Sequence, residues 1–272
     1  DMSMELDGRT IHYWIVRARQ DADSPAFYLL QCPELYGGPD LYGGDDEHIR
    51  FVLLTRAAIE MCQRLRFSPD LFHIHDWHTA LLPVYLKTTY AWDDLFRDTR
   101  TVLTIHNIGY QGVFGNDVLG PIGLEYSTDF LDQEDLYHGR VNFLKTGVTH
   151  ADLLTTVSPT YAKEILGPEY GMGLEHALRA RHGRLIGILN GVDYDEWNPE
   201  SDPLIPFTYS ASDLAGKEKN KRAVLEEMGL EYVFDRPLFG MVTRLTYQKG
   251  IELVEQAMQG GLRASEARGV HE

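Results

Sequence analysis

Residues 71–78 read LFHIHDWH, and residues 101–107 read TVLTIHN. In each, a short, largely apolar run leads directly into a cluster of histidine, asparagine or aspartate. Similar apolar runs stand at 26–30, 153–157, 185–189 and 238–242. Several are continuous rather than alternating, which is the pattern of strands covered on both faces. Helix-like stretches separate them, at 48–66, 78–87, 141–150, 159–166, 213–228 and 248–259. Ser158 precedes Pro159, an N-cap followed by proline at the first helical position. Strands alternating with helices predict an α/β fold with a Rossmann-like, mostly parallel sheet. Such sheets bind ligands beyond the C-terminal ends of their strands, so the residues just after each run are the candidate site.

Composition narrows the chemistry. Of 272 residues, 25 are Lys or Arg and 41 are Asp or Glu, a formal net charge of 25 − 41 = −16. Such a surface repels a phosphate backbone and an anionic leaflet, so neither nucleic acid nor membrane is expected as a partner. The apolar fraction of 43% is enough to build a core, which excludes a disordered chain. No apolar run reaches the roughly 18 residues of a bilayer-spanning helix. The opening DMSMELDGRT lacks the basic-then-apolar order of a secretory leader. Asp1 in place of an initiator methionine suggests a chain processed or cut from a longer frame. Two cysteines, Cys32 and Cys62, form no metal-ligand spacing, and a reduced, cytoplasmic location is the simplest expectation. No G-x-G-x-x-G, P-loop or G-x-S-x-G pattern follows a strand.

Four constellations remain. HIHDWH at 73–78 places three histidines beside Asp76, as a hydrogen-bonding cluster, an organic-substrate site or a metal site. The H-x-H-x-D-H metal pattern is not met, because Asp76 follows His75 directly. TIHNIGYQG at 104–112 offers an imidazole and an amide, His106 and Asn107, to a polyhydroxylated ligand. Its glycines allow a sharp turn or close backbone approach; the alternative is a plain loop with a satisfied histidine. LNGVD at 189–193 contains Asn190-Gly191, a turn signal that taken alone is only a turn. TRLTYQKG at 243–250 puts Arg244 after a strand-like run and Lys249 at the expected start of a helix. A cation there opposes the helix dipole unless it joins the helix N-terminus in holding an anion such as a diphosphate. Two solvated cations are the plainer reading.

In this order, the motifs resemble the bacterial glycogen synthase and plant starch synthase family. The resemblance includes FYLLQCPELYGGPDLYG (27–43), RFVLLTRAA (50–58), HIHDWH, TIHNIGYQGVF and NFLKTGVTHADLLTTVSPTYAKEI (142–165). It continues through LNGVDYDEWNP (189–199), KEKNK (217–221) and TRLTYQKG, and covers roughly 26–259. It implies a GT-B architecture of two Rossmann-like domains: an N-terminal, acceptor-side domain at 1–184, then at 185–272 a linker and the start of a nucleotide-binding domain. It further implies transfer of glucose, with retention, from ADP-glucose to the non-reducing end of an α-1,4-glucan, without metal or cofactor. By resemblance, Asp76, His106, Arg244 and Lys249 would be catalytic, the two cations neutralising the leaving ADP. Asn107, Tyr110, Gln111 and Asn190 would bind substrate.

The family also has a first strand with a Lys-x-Gly-Gly loop and, later, a glutamate motif and a Gly-Gly loop. These elements are absent from 1–272, and the tail QGGLRASEARGVHE (259–272) departs from the family pattern. The expectation is an incomplete form with little activity alone. An inactive glucan-binding remnant, a hydrolase holding a metal at HIHDWH, and a sucrose- or trehalose-forming GT-B enzyme are the competing readings.

Overall fold

The computed structural model describes residues 2–18, 24–40 and 42–267, and the chain divides into two compact units after Gly191. The last five residues of the tail lie outside the described residues.

The first unit opens with an antiparallel sheet, β1 (Met2–Leu6), β2 (Arg9–Arg17) and β3 (Tyr28–Gln31). Asp7 and Gly8 both have positive φ, 54° and 65°, and join β1 to β2 with Leu6 paired to Arg9. An Asp-Gly pair suits such a turn because its twist matches that of the strands. Met4, Leu6, Ile11 and Tyr13 point inward and are buried. The sequence pattern makes the 26–30 run one strand of a mostly parallel sheet. It appears instead as β3, antiparallel to β2, with Leu29 about half exposed.

Two helices follow, α1 (Pro33–Tyr36) and α2 (Glu47–Leu65). Helix α2 ends where Arg66 turns left-handed (φ 51°) and Phe67 N–H reaches back to the Cys62 carbonyl. Its Glu60 carboxylate accepts from the Tyr13 and Tyr90 hydroxyls, each at 2.9 Å, which ties the antiparallel sheet to the helix.

The parallel sheet begins with β4 (Leu71–His75). Residues 78–87 were expected as one helix. They form the end of α3 (Asp76–Thr79) and the whole of a second short helix, α4 (Leu82–Lys87), because Pro83 can occupy only a first turn. Strand β5 (Arg100–Ile105) lies parallel to β4. A small antiparallel pair, β6 (Val113–Gly115) with β7 (Arg140–Asn142), brackets α5 (Gln133–Tyr137). Helix α6 (Phe143–His150) starts where Asn142 Oδ1 accepts from Lys145 N–H at 2.9 Å. Then come β8 (Leu153–Thr156), α7 (Pro159–Glu164), α8 (Glu175–Ala180) and β9 (Leu185–Gly187). Ser158 caps α7 through Tyr161 N–H at 2.8 Å.

The parallel order is β4-β5-β8-β9. Leu103, Ile105 and Leu154 are fully buried in one core cluster that also takes in side chains of α2, α4 and α6. Coverage on both faces is expected for several of the strands and holds for β5 and β8. On the outer strands, Leu71 and Ile186 are nearly half exposed. A β-carbon on Gly147 of α6 would press on Ala80 and Leu103, so glycine lets this helix sit close to the chain below it. Strand β9 pairs with β8 and stays with the first unit, beyond the boundary at 184/185 read from sequence.

The second unit contains α9 (Ala215–Glu227) and α10 (Ile251–Ala267). The run 238–242 was expected to be a strand. Among the described residues of this unit there is none, and Phe239 and Val242 are exposed. A strand needs a neighbour's backbone to satisfy its own. The sequence pattern ends the last helix at 259, whereas α10 continues to Ala267. Leu, Arg, Ala and Glu beyond Gly261 are good helix formers. The KEKNK run fastens α9 to both flanking segments. Asn220 exchanges two hydrogen bonds with the Phe207 backbone, and Lys221 donates to the Phe234 carbonyl at 3.0 Å.

Candidate active site

Strands β4 and β5 run parallel with His75 level with Thr104, so the residues after them emerge side by side. These are Asp76 on one strand end and His106-Asn107 on the other. Asp76 Oδ1 accepts from His106 N–H at 2.7 Å and, more loosely, from Asn107 N–H at 3.4 Å. The carboxylate thus clamps the loop that carries the histidine. It does so from a left-handed backbone (φ 51°), a conformation that disfavours a non-glycine residue.

The imidazoles of β4 and β5 form a row. His75 Nδ1 lies 3.0 Å from His106 Nε2, and the His73 and His75 rings are 4.4 Å apart. His73 Nε2 is 2.6 Å from the Thr104 hydroxyl, itself 2.6 Å from the Thr155 hydroxyl of β8. Burial lowers the His75 pKa; His73 and His106 lower it further, while Asp76 opposes them. The third histidine of the motif faces elsewhere. His78 stacks on Trp77 and meets Phe51 edge-on, each at 4.4 Å, and burial lowers its pKa too. Among the described residues, no group of three or more His, Cys, Asp or Glu side chains is disposed to hold a metal ion.

The rest of the loop is braced from within. Asn107 Oδ1 accepts from Gly109 N–H at 2.9 Å, leaving its amide N–H groups as donors. Gln111 donates to the Ile108 and Met172 carbonyls at 3.1 and 2.9 Å and accepts from Asn142 Nδ2 at 2.6 Å. That side chain holds the loop to β7 and to the 167–174 segment. Tyr110 is 59% exposed. Gly112 has φ 60° and sits on the Trp77 indole where a β-carbon would overlap the ring. Ile108 N–H reaches the Tyr161 hydroxyl at 3.3 Å. Asn142, Tyr161 and Trp77 escaped sequence reading as supports of the site. Only the Asn-x-Gly spacing of the loop hinted at its internal bracing.

Asn190 is exposed beyond β9, at the end of the first unit. Arg244 and Lys249 belong to the second unit, and both are exposed. Lys249 closes a 3-10 turn at Tyr247–Lys249, one residue short of Gly250 (φ 68°), after which α10 begins. The structure therefore brings Asp76, His106, Asn107 and Gln111 into one loop system of the first unit, and Arg244 and Lys249 into one short segment of the second.

A parallel sheet with a clamped His-Asn loop at its C-terminal edge makes this an α/β protein, and its likeness to a solved starch synthase places it in the GT-B glycosyltransferase class. It overlays the catalytic domain of starch synthase IV from Arabidopsis thaliana, bound to ADP and acarbose. The TM-score is 0.82 at 35% identity, over 96% of this chain and 54% of that one. The model of the starch synthase catalytic domain matches residues 2–180, and the chain belongs to that family. It is 46% identical over 225 residues to a glycogen synthase of Thermodesulfovibrio yellowstonii, covering 83% of this chain and 45% of the relative. It is 50% identical over 216 residues to glycogen synthase 1 of Geobacter metallireducens, covering 78% and 42%. The chain thus spans about half the length of the curated relatives it matches. No helix among the described residues is long and apolar enough to cross a membrane.

Proposed function

We propose that this chain is the acceptor-side domain and the first part of the nucleotide-binding domain of a cytoplasmic glycogen or starch synthase. The reaction moves glucose from ADP-glucose to the 4-hydroxyl at the non-reducing end of an α-1,4-glucan, with retention. The bond from the anomeric carbon to the diphosphate oxygen breaks. A bond to the acceptor oxygen forms on the same face, and the acceptor proton passes to the departing phosphate. His106 and Asn107 meet the transferring sugar, and Asp76 holds that loop in place. Tyr110 offers its exposed ring to the glucan, and Gln111 keeps the loop in shape for binding. Asn190 faces the sugar. Arg244 and Lys249 take up the charge that builds on the leaving ADP, so the reading requires no metal or cofactor.

The Asp76–His106 clamp carries this reading. It spends a carboxylate and a disfavoured backbone conformation on orienting one exposed imidazole at a strand end. A core histidine would need neither. Because the chain corresponds to about half of each relative, we infer that it binds glucan but transfers glucose slowly when alone.

Glycogen co-sedimentation, together with incorporation of labelled glucose from ADP-glucose, tests both parts. The expected result is retention on glycogen that free maltooligosaccharide competes away, with incorporation far below that of a full-length relative. Incorporation at a full-length rate would overturn the slow-transfer inference. Failure both to bind and to incorporate would overturn the synthase reading. Binding without any turnover would favour the glucan-binding remnant.

A further inference from the structure

The row of imidazoles assigns a task to a residue that the proposed reaction leaves unused. We propose that His75 is a positioning residue for His106: through the 3.0 Å contact between His75 Nδ1 and His106 Nε2, it sets which nitrogen of the His106 ring carries hydrogen. This rests on the reading above that His106 meets the transferring sugar.

Two neutral imidazoles facing each other nitrogen to nitrogen share one hydrogen, one ring donating and the other accepting. Once that role is taken at His106 Nε2, the opposite role is fixed at Nδ1, the nitrogen left for a sugar hydroxyl. A lone exposed histidine would offer a mixture of both tautomers, and half-correct donors are poor at orienting a hydroxyl.

The setting of His75 suits this task. From β4, His73 packs against it with the two rings tilted by 36°, its own Nε2 tied to Thr104 and, through Thr104, to Thr155. From α3, the Thr79 hydroxyl accepts from His75 N–H at 2.8 Å and donates to the His75 carbonyl at 3.0 Å. Among the described residues, Asp76 is the acidic neighbour acting on the ring, and its Oδ1 already takes the His106 and Asn107 amides. Burial and the two flanking imidazoles outweigh it and keep His75 uncharged at neutral pH. The ring is thus free to share a hydrogen with His106. The backbone of His106 is clamped by Asp76 and its side chain by His75, so two successive residues of the HIHDWH motif fix one imidazole.

Two-bond nitrogen–hydrogen correlation spectra of the 15N-histidine-labelled chain, without ligand at pH 7.5, test this. The expected wild-type result is a single tautomer at His106 and a complementary one at His75. His75→Phe removes the partner nitrogen, and the His106 ring nitrogens should move to the averaged shifts of a mixture. His75→Asn places an amide near the lost Nδ1 and should restore a single tautomer. A simple packing role predicts the reverse, with Phe the better replacement. The proposal is overturned by averaged His106 shifts in the wild type, by an unchanged His106 spectrum in His75→Phe, or by identical behaviour of the Phe and Asn variants. If His75→Phe fails to fold, the wild-type and His75→Asn spectra decide. The measurement needs neither substrate nor turnover, so failure of the synthase reading would show in the glycogen assay and leave these spectra untouched.

Discussion

Asp76 Oδ1 accepts the backbone N–H of His106 at 2.7 Å across two adjacent parallel strands. Asp76 is therefore placed by β4 and His106 by β5, and their meeting depends on the strand register. A carboxylate accepting amide hydrogens is among the stronger hydrogen-bonding arrangements in a protein.

Asp76→Ala should lose about 1.5–3 kcal/mol of stability, the range for hydrogen bonds to a charged group. Asp76→Gly removes the same carboxylate but adopts a φ of 51° freely, so it should be the more stable of the two. Urea denaturation of both variants measures the difference. Amide exchange at His106 should accelerate in each. An alanine variant as stable as the glycine variant would remove the case for backbone strain.

Stability should fall with acid through the histidines. Burial lowers the pKa of His75, His78 and His150 in the folded chain. Below about pH 6.5 the unfolded chain takes up protons that these rings resist in the native state. Each contribution is therefore complete above the ordinary histidine pKa and is lost as pH falls below it. The melting temperature should drop between pH 7.5 and 5.5, and His78→Gln should flatten that slope. An unchanged slope in the variant would show that His78 does not contribute.

Gly112→Ala should destabilise the fold more than Gly8→Ala. Both positions have positive φ, 60° and 65°, and share the backbone cost. Only Gly112 also faces an indole ring, whose displacement adds an overpacking term of about 1–3 kcal/mol. Nothing lies within 4 Å of a β-carbon at Gly8. Thermal melts of the two variants compare them directly.

Lys145→Met should cost roughly 3 kcal/mol, the low end for removing one partner of a buried pair. Lys145 bridges Asp132 and Asp135 at 2.9 and 3.0 Å, and the Asp135 side chain is only 6% exposed. Arg140 also holds Asp135, at 2.8 Å, which moderates the loss. Burial works to lower the Lys145 pKa, but the two aspartates raise it overall. Pairing Lys145→Met with Asp135→Leu should recover part of the loss, because the more deeply buried of the two carboxylates is then removed along with its partner, leaving only the more exposed Asp132 without Lys145. A denaturation cycle over the three variants measures that coupling.

The parallel strands at β4, β5, β8 and β9 were legible because each is a compact apolar run, and the loops carrying Asp76 and His106 were legible because they follow such runs. The hairpin of β1 and β2 was equally open to inspection, with Asp7-Gly8 between alternating apolar positions, but it lies outside the βαβ pattern and went unassigned. The 238–242 run misled for the opposite reason. Leu238, Phe239, Met241 and Val242 satisfy a local pattern, while a strand also requires a neighbour that composition does not reveal.

Residue order alone determined the α/β class, through the periodicity of its apolar runs, and the family, through the resemblance of its motifs, and with them the position of each candidate side chain along the chain. Only the tertiary structure decided that His75 touches His106, that His78 turns away into an aromatic cluster, and that Gln111 braces the loop against Asn142 and Met172. Those contacts join residues about 30 or 60 positions apart. The His75–His106 contact exists because parallel pairing of β4 and β5 brings two strand ends to one edge, and the Gln111–Asn142 contact because β6 pairs antiparallel with β7; both are long-range outcomes that no local pattern encodes.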